Sequence, residues 1–560
     1  MKDLFPIATW LPKYRGRDLR GDLVAGVTVG VMLIPQSMAY AILAGIPPIY
    51  GLYASLIPLL IYPLFGTSRQ LAVGTIAIDM LIVAAGLSVL AEPGSDQYIA
   101  LAILLAAMVG VMQIAMGVAR LGFVVNLLSR PVITGFASAA ALIIAMSQLD
   151  SLLGIELPRS QQLHIVLSNA IPHLGEVHLL TLTMGFAAIV VLLVFKRWLP
   201  RVPGPLVIVV IGTFLTWKWQ LDGQGIAIVG EIPSGLPVPA LPLLDSAALG
   251  SLWSTALTLA LVQFMTVISL GKVFAARHRY TIQPNQEFFA IGAANLAGSL
   301  FRGIPISGSF SRTAINADAG ARTPLANVCA ALLIALTLLF LTSLFTHLPI
   351  PMLAAIIIVA AIGLFDFKEI LALWRIKRMD GGIAALTFLV TLFVGIQEGV
   401  LTGVTASVVA IMYRISRPHV AELGYVREAE VFRDINRHAE AEALDGILLL
   451  RVDASFSFAN ADFIRDLLLK YTQNDANVEA VILDARSIND LDTTAAATLI
   501  SVAETLRERG VALYFGGVKE PVQDTMRKSD VYAHLGKDYF FSTPEAAARH
   551  ILQQRKIDAS

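Results

Sequence analysis

A single arginine lies among hydroxyl side chains in the middle of a strongly apolar sequence. The stretch Gly303–Pro324 (GIPISGSFSRTAINADAGARTP) contains Arg312 between Ser311 and Thr313. Hydroxyl and guanidinium groups donate hydrogen bonds, and a guanidinium also carries a full positive charge, so together they can replace the water around an anion. The stretch therefore indicates an anion-binding site. The alternative is a Gly- and Ser-rich loop whose arginine extends to the membrane surface.

A second interrupted stretch, Arg69–Leu81 (RQLAVGTIAIDML), has the same character. In both stretches an extended piece runs into small polar residues and then into a helix, which we expect to begin near Gly74, Thr75 and Ile76 here and near Ser311 in the other. Helix N-termini present unpaired N–H groups and a partial positive charge. Paired interrupted segments in the two halves of a chain are typical of the binding site of inverted-repeat transporters. The pattern therefore predicts two helix N-termini that face each other beside an arginine.

Two further polar residues lie in predicted membrane helices. Asp79 follows Thr75 by one helical turn, and an acid buried there must be protonated or paired, for which Arg312 is the candidate partner. One role for such a carboxyl is a structural hydrogen bond. The amide of Gln36 can donate to an anion, or it can hydrogen-bond to another helix.

The composition indicates the elements that must position these residues. Of 560 residues, 56% are hydrophobic and only 15% are charged, whereas a soluble protein would have about 25% charged residues. Apolar runs of the ~20 residues needed to cross a bilayer recur along the chain. The sequence therefore predicts a polytopic α-helical membrane protein with roughly ten to fourteen spans.

The distribution of charge divides the chain into four parts. Basic residues such as Arg20 precede the first apolar helix, and Arg414 and Arg417 follow the last one, which favours cytoplasmic placement of both termini. We expect a cytoplasmic N-terminal segment (residues 1–20), a transmembrane domain (21–415), a linker (416–437) and a soluble domain (438–560). The single cysteine, Cys329, excludes an internal disulfide.

The C-terminal part alternates apolar strands with helical patterns. The predicted strands are Gly446–Asp453, Glu479–Ala485 and Val511–Gly517, and this alternation is typical of a small α/β domain. No phosphate-binding glycine motif precedes a helix, and neither a metal-ligand cluster nor a catalytic triad is evident. We therefore expect no enzymatic activity, no cofactor, no metal and no nucleic-acid partner.

Three motifs together resemble the SulP (sulfate permease) family of anion transporters. They are Ile34–Ser55, Leu127–Ile144 and Asn285–Ala326, in the order and spacing of that family. The resemblance implies fourteen membrane segments in two inverted repeats of seven, which form a core domain and a gate domain. It also implies a cytoplasmic STAS domain after them. The anion would bind between the third and tenth segments, matched here by Gly74–Asp79 and Ser311–Ala317.

The same resemblance implies roles for single residues. Gln36 and Tyr40 match positions that line the anion pocket, although Tyr40 could equally be a packing residue, and Ser311 and Arg312 match a Ser-Arg pair that opens the tenth segment. Many bacterial relatives carry a coupling glutamate on the eighth segment, where this chain has Thr266. Because threonine cannot change its charge, exchange or uncoupled transport becomes more plausible, or Asp79 takes over the coupling.

The resulting functional expectation is a secondary active transporter for an inorganic or small organic anion. Sulfate is the first candidate and bicarbonate the second, and coupling to H⁺ or Na⁺ is open. Rival functions are a chloride/bicarbonate exchanger or channel, a C4-dicarboxylate transporter, and a membrane sensor that signals through the STAS domain. The resemblance further suggests a homodimer in the inner (plasma) membrane with a cytoplasmic partner at the STAS domain. Thr493 matches a phosphorylated serine of related antagonists of anti-sigma factors, although an N-cap role for Asp492 or Thr493 is the default.

Overall fold

The computed structural model describes residues 5–122, 129–157, 162–199, 203–242, 245–363, 365–474 and 477–558. Leu127 and Leu128, at the start of the second family motif, lie outside the described residues. The chain divides into two compact units, Met1–Ser407 and Val408–Ser560.

The first unit is almost entirely helical, and its last helix continues into the second unit. The helices are α1 (Ile7–Trp10), α2 (Gly16–Leu43), α3 (Pro48–Ala54), α4 (Ile57–Phe65), α5 (Ala77–Leu87), α6 (Asp96–Val118), α7 (Arg130–Met146), α8 (Leu149–Leu153), α9 (Leu163–Ala170), α10 (Leu179–Trp198), α11 (Gly204–Trp219), α12 (Ser246–Arg277), α13 (Pro284–Ser299), α14 (Phe310–Asp318), α15 (Leu325–Leu336), α16 (Ile350–Ile362), α17 (Phe367–Ile376), α18 (Arg378–Phe393) and α19 (Ile396–Ser416). Among the described residues, nine helical spans are long and apolar enough to cross a membrane.

Two segments are broken instead of continuous. The strand β1 (Val73–Gly74) precedes α5, and the strand β2 (Ser307–Gly308) precedes α14. At ~1.5 Å per residue these two helices are each about half of the ~30 Å hydrocarbon thickness. With them, the described helices form the predicted fourteen segments: α2, α3–α4, β1–α5, α6, α7, α10 and α11, then α12, α13, β2–α14, α15, α16, α18 and α19. The broken segments are third and tenth, as expected.

The two broken segments cross as a short antiparallel pair. Val73 lies opposite Gly308 and Gly74 opposite Ser307, and the Ser309 N–H donates to the Ala72 carbonyl at 3.1 Å. Non-helical backbone inside a membrane must find internal hydrogen bonds. This pairing provides them and brings the starts of α5 and α14 together.

Close helix packing fixes α2, the first segment, beside the crossing. A methyl group added at Gly26 would lie 2.4 Å from the Ala326 carbonyl oxygen, so α2 and α15 approach nearly to backbone contact. Small residues permit such approach between membrane helices. The consequence is a fixed position for the polar residues of α2, which face the crossed segments.

The second unit contains a six-stranded sheet with the order β4-β3-β5-β6-β7-β8. Its strands are β3 (Val420–Val426), β4 (Val431–Asp434), β5 (Ile447–Val452), β6 (Ala480–Asp484), β7 (Ala512–Gly516) and β8 (Phe540–Phe541). Its helices are α20 (Ala461–Asn474), α21 (Thr493–Glu508), α22 (Glu520–Lys528), α23 (Val531–Leu535) and α24 (Pro544–Asp558). Strands β5 to β8 run parallel, and apolar side chains cover both faces of the sheet.

Residues 416–437, for which the sequence predicts a linker, include two strands of this sheet. This stretch contains β3 and β4, and β3 pairs antiparallel with β5 through Val420 opposite Val452. Strand β3 and its partner β4 lie at one edge of the sheet and bury only part of their side chains. Strands with exposed charged residues therefore resemble a polar connection in the sequence.

Candidate anion-binding site

Arg312 lies at the centre of the crossing and is fully buried (0% exposed). Its Nη1 donates to the Gln36 Oε1 at 3.2 Å, and its Nη2 donates to the Thr75 carbonyl at 2.9 Å. Within the part of the chain that the structure describes, the Nε–H has no hydrogen-bond partner. Among the described residues, no carboxylate lies within 4.0 Å of the guanidinium. The structure thus holds a buried positive charge whose polar contacts are neutral and whose donors are not all used.

The starts of α5 and α14 flank this arginine. Ile76 is the N-cap of α5 and provides no side-chain cap, so the first N–H groups of that helix remain uncapped. The Thr75 hydroxyl is also buried, and no described residue hydrogen-bonds to it. Unused donors of three kinds, from a guanidinium, a hydroxyl and a helix N-terminus, therefore occur around one point.

Gly74 makes the close approach of Arg312 possible. Its φ is +149°, a conformation that side chains disfavour, and an added methyl group would lie 3.2 Å from the Arg312 Nη2 and 3.0 Å from Leu33 Cδ1. The lack of a side chain at Gly74 therefore lets its backbone lie against the Arg312 guanidinium.

The side chains of Gln36 and Tyr40 reach the site from α2. Both are buried, at 5% and 6% exposed, and they lie one helical turn apart. Gln36 contacts Arg312 directly, and Tyr40 lies close enough to Arg312 to interact with it electrostatically. The structure brings these two predicted residues together with Arg312.

Two other predicted residues have different surroundings. The Thr313 hydroxyl accepts a hydrogen bond from the Ala72 N–H at 3.1 Å, so it holds the crossed backbone together. Ser311 is exposed, and its hydroxyl lies 3.3 Å from that of Ser309. Sequence reasoning did not single out Ser309, which caps α14 by accepting from the Arg312 N–H at 3.5 Å. The signal for it is a serine directly before a predicted helix.

The predicted ion pair between Asp79 and Arg312 is wrong. Asp79 is fully buried, and within the described part of the chain neither of its carboxyl oxygens has a hydrogen-bond partner within 3.5 Å. Its carboxyl faces the amide of Gln263 on α12, whose Nε2 also makes no hydrogen bond. Thr266, at the position of the coupling glutamate of relatives, is half-buried and donates to the Val262 carbonyl of its own helix at 2.9 Å.

A polar cluster that the sequence reasoning missed binds the backbone directly before β2. The Asn295 Oδ1 accepts from the Ile306 N–H at 2.8 Å, while its Nδ2 lies 3.2 Å from the Gln113 Oε1 and 3.0 Å from the Gln263 Oε1. These three side chains come from α13, α6 and α12. Their signal in the sequence is an amide in an otherwise apolar helix, which needs a partner inside the protein.

A cavity of about 570 Å³ lies near the C-terminal ends of α2 and α5 and near the start of α12. Its wall includes Leu43, Leu81 and Thr255, and none of the eight predicted binding residues belongs to it. Because Arg312 is fully buried, this conformation closes the site against solvent.

Thr493 in the second unit is the first residue of α21 and is exposed. Asp492 is the N-cap, with its Oδ1 accepting from the Ala495 N–H at 2.9 Å, so the default prediction of an N-cap holds for Asp492. Its other carboxyl oxygen accepts from the Phe458 N–H at 2.7 Å. Thr493 is therefore accessible and its phosphorylation stays a prediction.

Comparisons with known proteins agree with this architecture. The sequence pattern of the Sulfate permease family matches residues 19–387, and that of the STAS domain matches residues 438–547. The chain is 36% identical to "Sulfate transporter 4.1, chloroplastic" of Arabidopsis thaliana, over 98% of this chain and 83% of that protein. It is also 36% identical to "Probable sulfate transporter MT1781" of Mycobacterium tuberculosis, over 97% of this chain and 98% of that protein.

Two solved structures have the same fold. The murine Slc26a9 anion transporter in the inward-facing state matches with a TM-score of 0.89 at 25% identity, covering 98% of this chain and 94% of that one. The transmembrane domain of the cyanobacterial bicarbonate transporter BicA matches with a TM-score of 0.61 at 26% identity, covering 70% of this chain and 98% of that one. The predicted membrane fold and the α/β STAS domain are confirmed.

Proposed function

The chain belongs to the sulfate permease family, and from this we propose that it is a secondary active transporter that carries sulfate across the membrane by alternating access. The observation that carries the proposal is Arg312, a fully buried guanidinium that lacks a carboxylate partner among the described residues and has an unused Nε–H. A buried charge is expensive unless it is compensated. An anion that binds between α5 and α14 supplies the missing compensation.

A tetrahedral oxyanion suits the donors around this point. Its oxygens can accept hydrogen bonds from the Arg312 Nε–H, from the Thr75 hydroxyl and from the uncapped N–H groups of α5. Sulfate comes first because curated relatives are named as sulfate transporters over nearly the whole chain. Bicarbonate comes second because BicA is named as a bicarbonate transporter.

Uptake of radiolabelled sulfate into proteoliposomes tests the proposal. Replacing Arg312 by Ala removes the compensating charge, so we expect sulfate uptake to be lost. The matched control is Arg277→Ala, because Arg277 is exposed and pairs with the exposed Asp318. Sulfate transport with an unchanged kcat/KM in Arg312→Ala would refute the site. Competition by unlabelled bicarbonate, chloride and fumarate then identifies the substrate.

The same vesicles distinguish a carrier from the rival functions. Saturable flux that accelerates when sulfate is present on the opposite side is expected of a carrier. Flux that rises linearly with concentration and carries current would instead indicate a channel. Flux that needs an internal anion and ignores ion gradients would indicate an obligatory exchanger.

We also propose Asp79 as the site where a proton couples to transport. The carboxyl is fully buried, has no hydrogen-bond partner within 3.5 Å in the part of the chain that the structure describes, and follows Thr75 by one turn. Protonation removes the energetic penalty of its burial. Replacing Asp79 by Asn should leave sulfate binding intact and abolish the acceleration of uptake by an inward proton gradient. The control is Asp318→Asn, an exposed acid; an unchanged gradient response in Asp79→Asn contradicts the coupling role.

The remaining assignments concern placement and partners. The basic residues before α2 and after α19 favour a plasma-membrane orientation with both termini in the cytoplasm. We further propose a homodimer and a cytoplasmic partner of the STAS domain, with Thr493 as an accessible phosphorylation site. Crosslinking in membranes tests the dimer, and protease access to residues 438–560 in vesicles of known orientation tests the topology.

A further inference from the structure

Two buried carboxylates away from Arg312 bind the backbone of the crossed segments. Glu287, near the start of α13, is fully buried. Its Oε1 accepts from the Thr67 N–H at 2.6 Å, from the Ser68 N–H at 3.0 Å and from the Thr67 hydroxyl. Its Oε2 accepts from the Tyr62 hydroxyl at 2.8 Å. Glu287 thus fixes the chain directly before β1.

Asp22 on α2 binds the backbone that follows the other broken segment, β2–α14. It is fully buried, and its Oδ1 accepts from the Arg322 N–H at 2.7 Å and from the Thr323 N–H at 3.0 Å. Its Oδ2 accepts from the Thr323 hydroxyl. Asp22 thus fixes the chain directly after α14, the helix that carries Arg312.

Gln70 connects the two carboxylate anchors. Its Nε2 donates to the Ala321 carbonyl at 3.1 Å, its own carbonyl accepts from the Asn316 Nδ2 at 2.8 Å, and its Oε1 accepts from the Tyr280 hydroxyl at 2.8 Å. A polar network therefore runs from α13 through both crossed segments to α2.

We propose that Asp22 and Glu287 are positioning residues for the anion site, and the inference rests on the function proposed above. Together they set the separation and orientation of the starts of α5 and α14, and hence the position of Arg312. The carboxylate form is needed because one group accepts three or four hydrogen bonds, which an amide oxygen with a neighbouring NH₂ cannot do. Charge-assisted hydrogen bonds are also the stronger ones.

The geometry explains why such distant residues affect binding. Arg312 lies within a nine-residue helix, and a short helix moves as a rigid piece when one end is released. Productive binding requires donors within ~0.5 Å of their positions. Releasing Arg322 or Thr67 from its anchor therefore misplaces the donors without removing any of them.

The experiment measures KM and kcat for sulfate in proteoliposomes made with Glu287→Gln and Asp22→Asn. We expect KM to rise at least tenfold in each, with kcat within about threefold of the wild type. We also expect sulfate to raise the thermal transition of each detergent-solubilised variant less than it raises that of the wild type. Asp318→Asn is the control, because this exposed acid lies at the end of α14, the helix that carries Arg312, and pairs with the exposed Arg277.

Milder variants keep the test decisive if an amide variant fails to insert. Thr67→Val and Thr323→Val each remove one hydroxyl donor and leave both carboxylates in place, so KM should rise about threefold. An unchanged sulfate KM in every variant that inserts overturns the positioning role, even where thermal stability falls. Failure of the proposed function looks different, because the wild-type protein would then show no Arg312-dependent sulfate uptake.

Discussion

Gly74→Ala is the sharpest perturbation of the anion site, because it adds one methyl group at the point where the two segments cross. Gly74 has a φ of +149°, which residues with a Cβ rarely adopt. The new methyl group would lie 3.0 Å from Leu33 Cδ1 and 3.2 Å from the Arg312 Nη2. Both distances are tighter than ordinary van der Waals contact, so the side chain of Leu33 or Arg312 must move.

The expected free-energy cost of Gly74→Ala has two parts. Holding a non-glycine residue in such a backbone conformation costs roughly 1–3 kcal/mol. Displacing the Arg312 Nη2 from the Thr75 carbonyl, now 2.9 Å away, weakens a hydrogen bond of a charged group worth about 1.5–3 kcal/mol. If only about 1.4 kcal/mol of this total is lost from anion binding, affinity falls tenfold. We expect the sulfate KM of Gly74→Ala to rise about 10- to 100-fold.

Two other glycines provide matched controls in the same uptake assay. Gly94 has a φ of +82° with no atom within 4 Å of an added methyl group, so Gly94→Ala reports backbone strain alone. Gly250 lies in α12 with open space and an ordinary conformation, so Gly250→Ala reports the substitution itself. Neither control should change KM. A Gly74→Ala protein that folds and retains the wild-type KM would refute the assignment of the crossing as the binding site.

Three further substitutions test other contacts. Gln36→Glu should raise the sulfate KM more than Gln36→Leu, and uptake kinetics measure both. A carboxylate in place of the amide, whose Oε1 lies 3.2 Å from the Arg312 Nη1, competes with the anion, whereas leucine only removes one hydrogen bond. Asn295→Leu should destabilise the membrane unit by about 2–4 kcal/mol, since it removes the hydrogen-bond partners of the Ile306 N–H and of the Gln113 Oε1; thermal unfolding in detergent measures this. Asp492→Ala should destabilise α21 by about 1–2 kcal/mol without altering transport, which hydrogen exchange of that helix reports.

The broken segments could be predicted from the sequence because their signals are local. Gly, Ser and Pro residues interrupt apolar runs, and the helix predicted to begin near Ser311 is α14 at Phe310–Asp318. The α/β domain could also be predicted from the sequence. Its central strands are continuous apolar runs, which are typical of strands buried on both faces of a parallel sheet. Elements with their own sequence periodicity could thus be found without any knowledge of their partners.

The partners of buried polar groups could not be predicted. Glu287 contacts Thr67 across 220 positions of sequence, and Asp22 contacts Thr323 across 301, so no local pattern connects them. Asp79 and Arg312 illustrate the opposite error, because opposite charges in neighbouring segments suggested an ion pair. In the structure the guanidinium is turned to Gln36 and the Thr75 carbonyl. Charge alone does not fix which way a long side chain turns in a crowded site.

The placement of the buried acids leads to a last prediction about the transport cycle. Asp22 and Glu287 bind backbone N–H groups, and Asp79 faces an amide, so the anion is the partner left for the Arg312 charge. An empty site must reorient with the buried Arg312 guanidinium unpaired, whereas in a loaded site the bound anion pairs with this guanidinium. The loaded carrier should therefore reorient faster than the empty one. We expect internal sulfate to accelerate the uptake of labelled sulfate severalfold in proteoliposomes, and equal rates with and without internal sulfate would contradict the argument.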